Sequence, residues 1–237
     1  RQVLDGIGLV RDASIKLDDY RLETAAQALV GRGKLIEMIR SRWAPHLERE
    51  HGVRLVGAWA TVGSTGNWPE VRIHWEMDDW EHFSRAQHGQ YPMEERDVSL
   101  AELWNQALEY RQRGHSMLLK PTSFSPDLAE SSAEFIAGDV ILHEDVRALP
   151  GCLSAYHAAL AAEFLPLAEK RGLRLLGAYA HALQPGTGLN LWVLRDWDHW
   201  RELMEATQGD AELRAWNQQL GAWLEDLDGF LAVRPPG

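Results

Sequence analysis

Three side chains that could move protons alternate along one short segment: Arg72, His74 and Glu76, within Glu70 to Met77. In an extended chain, residues two apart share a face. Read as a strand, the segment therefore sets a cation, a base and a carboxylate side by side. A histidine beside a carboxylate is a general base tunable to neutral pH. Arg72 would then serve as oxyanion partner and Glu23 or Glu76 as orienter. The alternative is an ion-paired strand on a wet or inter-sheet face. Glu144 offers different chemistry. It lies between Leu142 and Val146, on the face opposite His143, Asp145 and Arg147. A carboxylate on an apolar face has a raised pKa and can shuttle a proton; the alternatives are a buried acid satisfied by a neighbouring Arg, or a strand end in water. Trp59 reads as a pocket wall. Tyr179 and His181, two residues apart, read as a pair for a substrate oxygen, and His88 as a rim histidine between two helices.

The elements that must position these residues occur twice. Arg54-Leu-Val-Gly-Ala-Trp-Ala60 returns as Arg174-Leu-Leu-Gly-Ala-Tyr-Ala180, 120 residues on. Asp79-Trp-Glu-His-Phe83 returns as Asp196-Trp-Asp-His-Trp200 after 117, and Trp104-Asn-Gln-Ala-Leu108 as Trp216-Asn-Gln-Gln-Leu220 after 112. A duplication supplies its own alignment: agreement points to scaffold, polar disagreement to function. By that test His82 and His199, present in both copies just inside a helix, are structural. Arg72, His74 and Glu76 face Leu189, Leu191 and Val193 in the alignment, and Glu144 faces Thr24.

Periodicity and turn signals give each copy the order β-α-β-β-α-α-β. The second copy is read with a last helix over 211–227 and a last strand from Phe230 to Arg234. The expected layout is an N-terminal arm (1–17), a first repeat (18–124), a Pro- and Ser-rich linker (125–138) and a second repeat (139–237). A β-α-β-β-α-β unit is the ferredoxin-like split, with helices on one sheet face. The bare face must be covered, and two copies can cover each other. The predicted fold is α+β: two fused ferredoxin-like repeats forming a pseudo-dimeric α/β barrel.

Composition narrows the function classes. The chain has 237 residues, 45 % hydrophobic and 25 % charged, with a formal net charge of −11. That balance argues against nucleic acid and anionic membrane as partners, and no apolar run reaches the length of a membrane span. A single cysteine, Cys152, forbids an internal disulfide, removes any cysteine-cluster metal site and fits a reducing cytoplasm. There is no Gly-x-Gly-x-x-Gly after a strand, no phosphate loop, no His-Glu-x-x-His and no Gly-x-Ser-x-Gly, which speaks against nicotinamide, ATP and zinc-hydrolase chemistry. Eleven Trp suit an apolar, aromatic-lined pocket.

Gly33-Lys-Leu35, His46 to Trp59, Trp75 to Trp80, Phe164 to Tyr179 and Trp192 to Trp197 resemble the NIPSNAP family, within the wider dimeric α/β-barrel superfamily. That resemblance implies the fold just derived. It also implies a strand order with the first strand beside the third, which would bring Glu23 or Thr24 near His74. The superfamily includes cofactor-free monooxygenases, polyketide cyclases, isomerases and haem enzymes, some cyclases using a histidine in the region of His88. The fold alone supplies a pocket, not a reaction. The expected function is a cytoplasmic small-molecule enzyme, monomer or homodimer, acting by acid/base chemistry on an apolar or aromatic substrate without cofactor or metal. His74, Glu23, Arg72, Glu76 and Glu144 are its candidate catalysts, and Trp59, Tyr179, His181 and His88 its candidate substrate contacts. The alternatives are a haem enzyme, in which His157 could ligate iron noncovalently, and a noncatalytic ligand-binding protein.

Overall fold

In the computed structural model, which describes residues 20–28, 31–88, 98–127 and 140–234 (without side chains at 20–28, 99–100 and 111–113), eight antiparallel strands close into one barrel. The first repeat supplies β1 (Tyr20–Ala28), β2 (Arg54–Thr61), β3 (Glu70–Met77) and β4 (Arg111–Pro121). The second supplies β5 (Val140–Ala148), β6 (Arg174–His181), β7 (Thr187–Leu194) and β8 (Leu224–Val233). Around the barrel the order is β1-β3-β2-β8-β5-β7-β6-β4, so each repeat contributes one contiguous four-stranded half. The halves meet at two short seams, Ala60↔Val233 with Thr61↔Ala232, and Leu119 to Pro121 against Tyr179 to His181. Closure removes the edges that two open sheets would expose.

Helices cover the outside of each half. In the first repeat α1 (Arg32–Met38) runs through a π-helical turn (Ile39–Trp43) into α2 (Ala44–His51), and α3 (Trp80–His88) and α4 (Val98–Leu108) follow β3. The second repeat repeats this with α5 (Leu153–Ala159), a π-helical turn (Leu160–Phe164), α6 (Leu165–Lys170), α7 (Trp197–Gly209) and α8 (Ala211–Gln219). Two outer cores lie beneath the helices, one per repeat, and a third fills the barrel with Leu119, Ile141, Leu176, Tyr179, Leu189, Leu191 and Val193.

The shared motifs build shared joints. His82 and His199 are both buried. The Nδ1 of each accepts a backbone N–H, from Asp78 at 3.1 Å and Arg195 at 3.2 Å. The Nε2 of each donates to a helix-end carbonyl, His51 O at 2.6 Å and Arg171 O at 2.7 Å. Because a backbone N–H can only donate, the Nε2–H tautomer fits these contacts at both rings, and Asp78 Oδ2 also lies 3.2 Å from His82 Nδ1. Asp79 and Asp196 cap the helices by accepting the backbone N–H of these same histidines. Gly57 and Gly177 stand at matching β-bulges, where an added Cβ would lie 2.2 Å from the Trp59 ring and 1.9 Å from the Tyr179 hydroxyl.

One boundary differs from expectation. The second repeat's last helix ends at Gln219 and β8 begins at Leu224, whereas the sequence suggests helix to 227. Pairing of Leu224 to Val233 along the whole of β5 supplies cross-strand hydrogen bonds that outweigh local helical preference. The proposed N-terminal arm and most of the linker fall outside the described residues.

Candidate active site

Arg72, His74 and Glu76 share the inner face of β3, as their spacing requires, and all three are buried. Arg72 pairs with Glu70 at 2.9 Å, and Arg54 reaches Glu76 at 3.1 Å and Asp78 at 2.8 Å. His74 has no accessible surface. Its ring centroid lies 5.4 Å from that of Trp59 and 6.2 Å from that of His143. His143 stacks on Phe230 at 4.3 Å, and the Arg72 guanidinium sits 4.8 Å above the same ring. The barrel centre is therefore half polar and half apolar, with Leu189, Leu191 and Val193 opposite. In backbone register Glu23 is directly across from His74, the adjacency the family resemblance implies; the Glu23 side chain lies outside those described.

The candidate substrate contacts are spread over the molecule. Trp59 packs in the barrel core beside His74. Tyr179 is fully enclosed there, its hydroxyl 3.5 Å from the Leu176 carbonyl. His181, on the same strand face, reaches the barrel mouth, where Arg72, His115, Asp145, Arg147, Asp226 and Asp228 surround a space of ≈ 360 Å³. His88 is exposed at the end of α3.

Glu144 occupies a different setting. On β5 its side chain points away from the barrel, toward the second repeat's helices. Its Oε2 accepts two hydrogen bonds, from Trp192 Nε1 at 2.9 Å and Asn190 Nδ2 at 3.1 Å. The same Asn190 nitrogen donates to the Tyr156 hydroxyl at 2.7 Å. Oε1 has no hydrogen-bond partner among the described residues and is not enclosed by protein. It borders a cavity of ≈ 320 Å³ walled by Leu142, Phe164, Trp200, Leu203, Leu213, Leu227 and Phe230. Exposed Met204 and Asn217 mark its opening between α7 and α8, and Thr65, from the first repeat, closes one side.

This environment tunes the acid. Burial pushes the Glu144 carboxyl above the usual carboxylate range, against the opposing hydrogen bonds from Trp192 and Asn190 and the charge of His143. Burial, and then the charge of Glu144, push the Tyr156 phenol up as well, so it stays neutral. Because both N–H donors converge on Oε2, a proton taken up by the carboxyl belongs on Oε1, facing the cavity.

Sequence reasoning picked out Glu144 but missed Asn190, Trp192 and Tyr156. The duplication carried the signal. Asn190 matches Ile73 and Tyr156 matches Leu35, two apolar-to-polar changes on the helix-facing side, where only the barrel-facing mismatches of β3 and β7 were noticed.

Haem suits the cavity poorly. Axial iron ligands are His, Cys, Met or Tyr, and Met204 alone of these lines it. His157 packs instead against Phe124 and Tyr156. Among the described residues no group of three His, Cys, Asp or Glu could hold a metal ion, and no helix is long and apolar enough to cross a membrane.

No family model matches the sequence, and no curated protein does. Solved structures do match. A proposed monooxygenase from Lactobacillus acidophilus overlays 92 % of this chain and 94 % of its own, with TM-score 0.61 at 10 % identity. A mutant chlorite dismutase from Candidatus Nitrospira defluvii covers 92 % of each chain, with TM-score 0.53 at 10 % identity. The fold is a dimeric α/β barrel made by one chain. An uncharacterized NIPSNAP domain protein from Burkholderia xenovorans covers 46 % of this chain and 99 % of its own, at 17 % identity and TM-score 0.38.

Proposed function

We propose that the chain is a small-molecule enzyme of the NIPSNAP type that moves protons on an apolar or aromatic substrate in the second repeat's cavity, with Glu144 as the proton carrier. The observation that carries this reading is the division of labour on one carboxyl group: Oε2 is fixed by two donors, while Oε1 opens on an apolar cavity. A general base needs a fixed position, reach to the substrate and a pKa moved toward the working pH, and Glu144 has all three. A cavity of ≈ 320 Å³ sits at the small end of ligand pockets, suited to a molecule of one or two rings. Neighbours of monooxygenase type share the fold and are consistent with an enzyme. His74, sealed in the barrel, supports the frame of the site in this reading rather than touching substrate.

The test is proton exchange. Aromatic compounds of one and two rings bearing acidic C–H bonds are incubated with the protein in D2O, and deuterium uptake at carbon is followed by mass spectrometry. Wild-type protein should catalyse uptake into at least one of them, and Glu144→Gln should slow it by about 10²–10⁴-fold, the usual worth of a positioned base. Equal exchange in the two proteins would overturn the assignment.

A further inference from the structure

The polar side chains lining the Glu144 cavity are few, and most are committed. Thr65 donates to Val62 O at 2.9 Å and Thr207 to Met204 O at 2.7 Å. The Arg171 guanidinium is held by Asp210, by Glu212 at 3.6 Å and by Leu167 O at 2.7 Å. Asn217 is exposed at the opening. At the floor remains Glu144 Oε1, an acceptor. The donors left in the lining are the Trp200 indole N–H and the Asn217 amide, and the lining cation, Arg171, is engaged by Asp210 and Glu212 rather than by Glu144.

A carboxylate enclosed without a counter-charge is costly, and a ligand that brings the missing cation offsets that cost. Phe164 and Trp200 line the same space, and aromatic faces attract cations. The net charge of −11 draws cations toward the protein as a whole.

We propose that the ligand of this cavity is an aromatic or alicyclic molecule carrying a protonated amine, with its body against Phe164, Trp200 and the surrounding leucines and its ammonium on Glu144 Oε1. This rests on the cavity being the working site, and it adds the chemical class of the molecule held there.

Three probes of matched shape separate the possibilities: 2-phenylethylamine, 2-phenylethanol and phenylacetate, titrated calorimetrically into the full chain near neutral pH. The amine should bind at least about tenfold more tightly than the alcohol, and phenylacetate most weakly. Glu144→Gln should bring amine and alcohol to similar affinity while leaving the alcohol unmoved, and Glu144→Asp, which keeps the charge, should retain part of the preference. An alcohol that binds wild-type protein as tightly as the amine overturns the amine class and leaves the cavity reading standing; this ranking needs no variant. Tight amine binding unaffected by Glu144→Gln overturns the assignment to Glu144. Failure of all three probes to bind overturns the amine class and the cavity reading together.

Discussion

In the first repeat the third strand turns its polar residues into the barrel; in the second, the corresponding strand turns its polar residue toward the helices. Arg72, His74 and Glu76 stand where Leu189, Leu191 and Val193 stand, while Ile73 stands where Asn190 does. Beneath the second repeat's helices Tyr156 stands where the first repeat has Leu35, and Glu144 aligns in sequence with Thr24. Everything around these positions is held in common: the glycine bulges, the π-helical turns, the capped histidines and the strand order. The fold therefore demands neither polarity on the barrel face of this strand nor a carboxylate beneath the helices, since the other copy has Leu189, Leu191 and Val193 in the one place and Leu35, Ile73 and uncharged Thr24 in the other. Buried polar groups cost stability unless satisfied, so each set needs its own account. In the barrel set Arg72 and Glu76 are ion-paired and His74 has no accessible surface; the helix-side set leaves one oxygen open to a cavity.

That contrast can be broken most sharply by comparing Glu144→Gln with His74→Ala. The first should remove most proton exchange and change stability little, because glutamine keeps the shape and still accepts from Trp192 and Asn190. His74→Ala should do the reverse. It empties a space that has no accessible surface, and large-to-small changes in a core cost about 2–5 kcal/mol. Urea denaturation of both variants, with exchange measured on the folded fraction, checks the pair. His74→Leu, which imports the residue of the other repeat, should cost less than His74→Ala. Loss of exchange with full stability in His74→Ala would move the catalytic role back into the barrel.

A smaller effect is expected at Asn190. Asn190→Ile copies the first repeat and removes the donor shared by Glu144 and Tyr156, leaving both buried groups short of a partner. Such orphaning costs about 1–3 kcal/mol. Adding Glu144→Thr and Tyr156→Leu completes the conversion to the first repeat's pattern and should recover much of that loss, because it removes the buried charge and the phenol that Asn190 served. A single and a triple variant of equal stability in urea titration would show that the three residues do not act as a network.

The architecture was legible because it rests on periodicity and repetition. Alternation in 70–77 put Arg72, His74 and Glu76 on one face, and the same logic set Glu144 opposite His143. The duplicated Asp-Trp-x-His segment identified its histidines as joints before their hydrogen bonds were known. What pattern could not supply was depth. Alternation tells which face a side chain takes, not whether that face opens on a cavity or is sealed by a second sheet. His74 and Glu144 carry similar signals in the sequence; barrel closure encloses the first, and the spacing of α7 and α8 leaves room over the second. The extent of β8 was misread for a related reason, since its pairing with β5 is a long-range contact that local preference does not contain.

The pH dependence of stability gives a last and finer comparison, because two groups of the second repeat that differ from the first act in opposite senses. Glu144 (Thr24 in the first repeat) has its carboxyl raised by burial. Its contribution is fully present below the unfolded glutamate value and is lost as pH rises through the folded one. His157 (Ile36 in the first repeat) has its imidazole lowered to about 4 by burial, and its Nε2 finds no hydrogen-bond partner among the described residues. Below the ordinary histidine value the unfolded chain takes up a proton that the folded chain refuses, so stability is lost as pH falls from about 6.5 toward 4. In the mildly acidic window the two slopes oppose, and the wild-type protein should show a shallower net dependence than either variant. Glu144→Gln should expose the histidine limb, with stability rising by at most about 3 kcal/mol from pH 4 to pH 6.5. His157→Ile should expose the glutamate limb, with stability falling as pH rises. Thermal melts of the three proteins across this window check the signs. Parallel curves would mean that neither group is held in the buried state that the cavity reading of Glu144 requires.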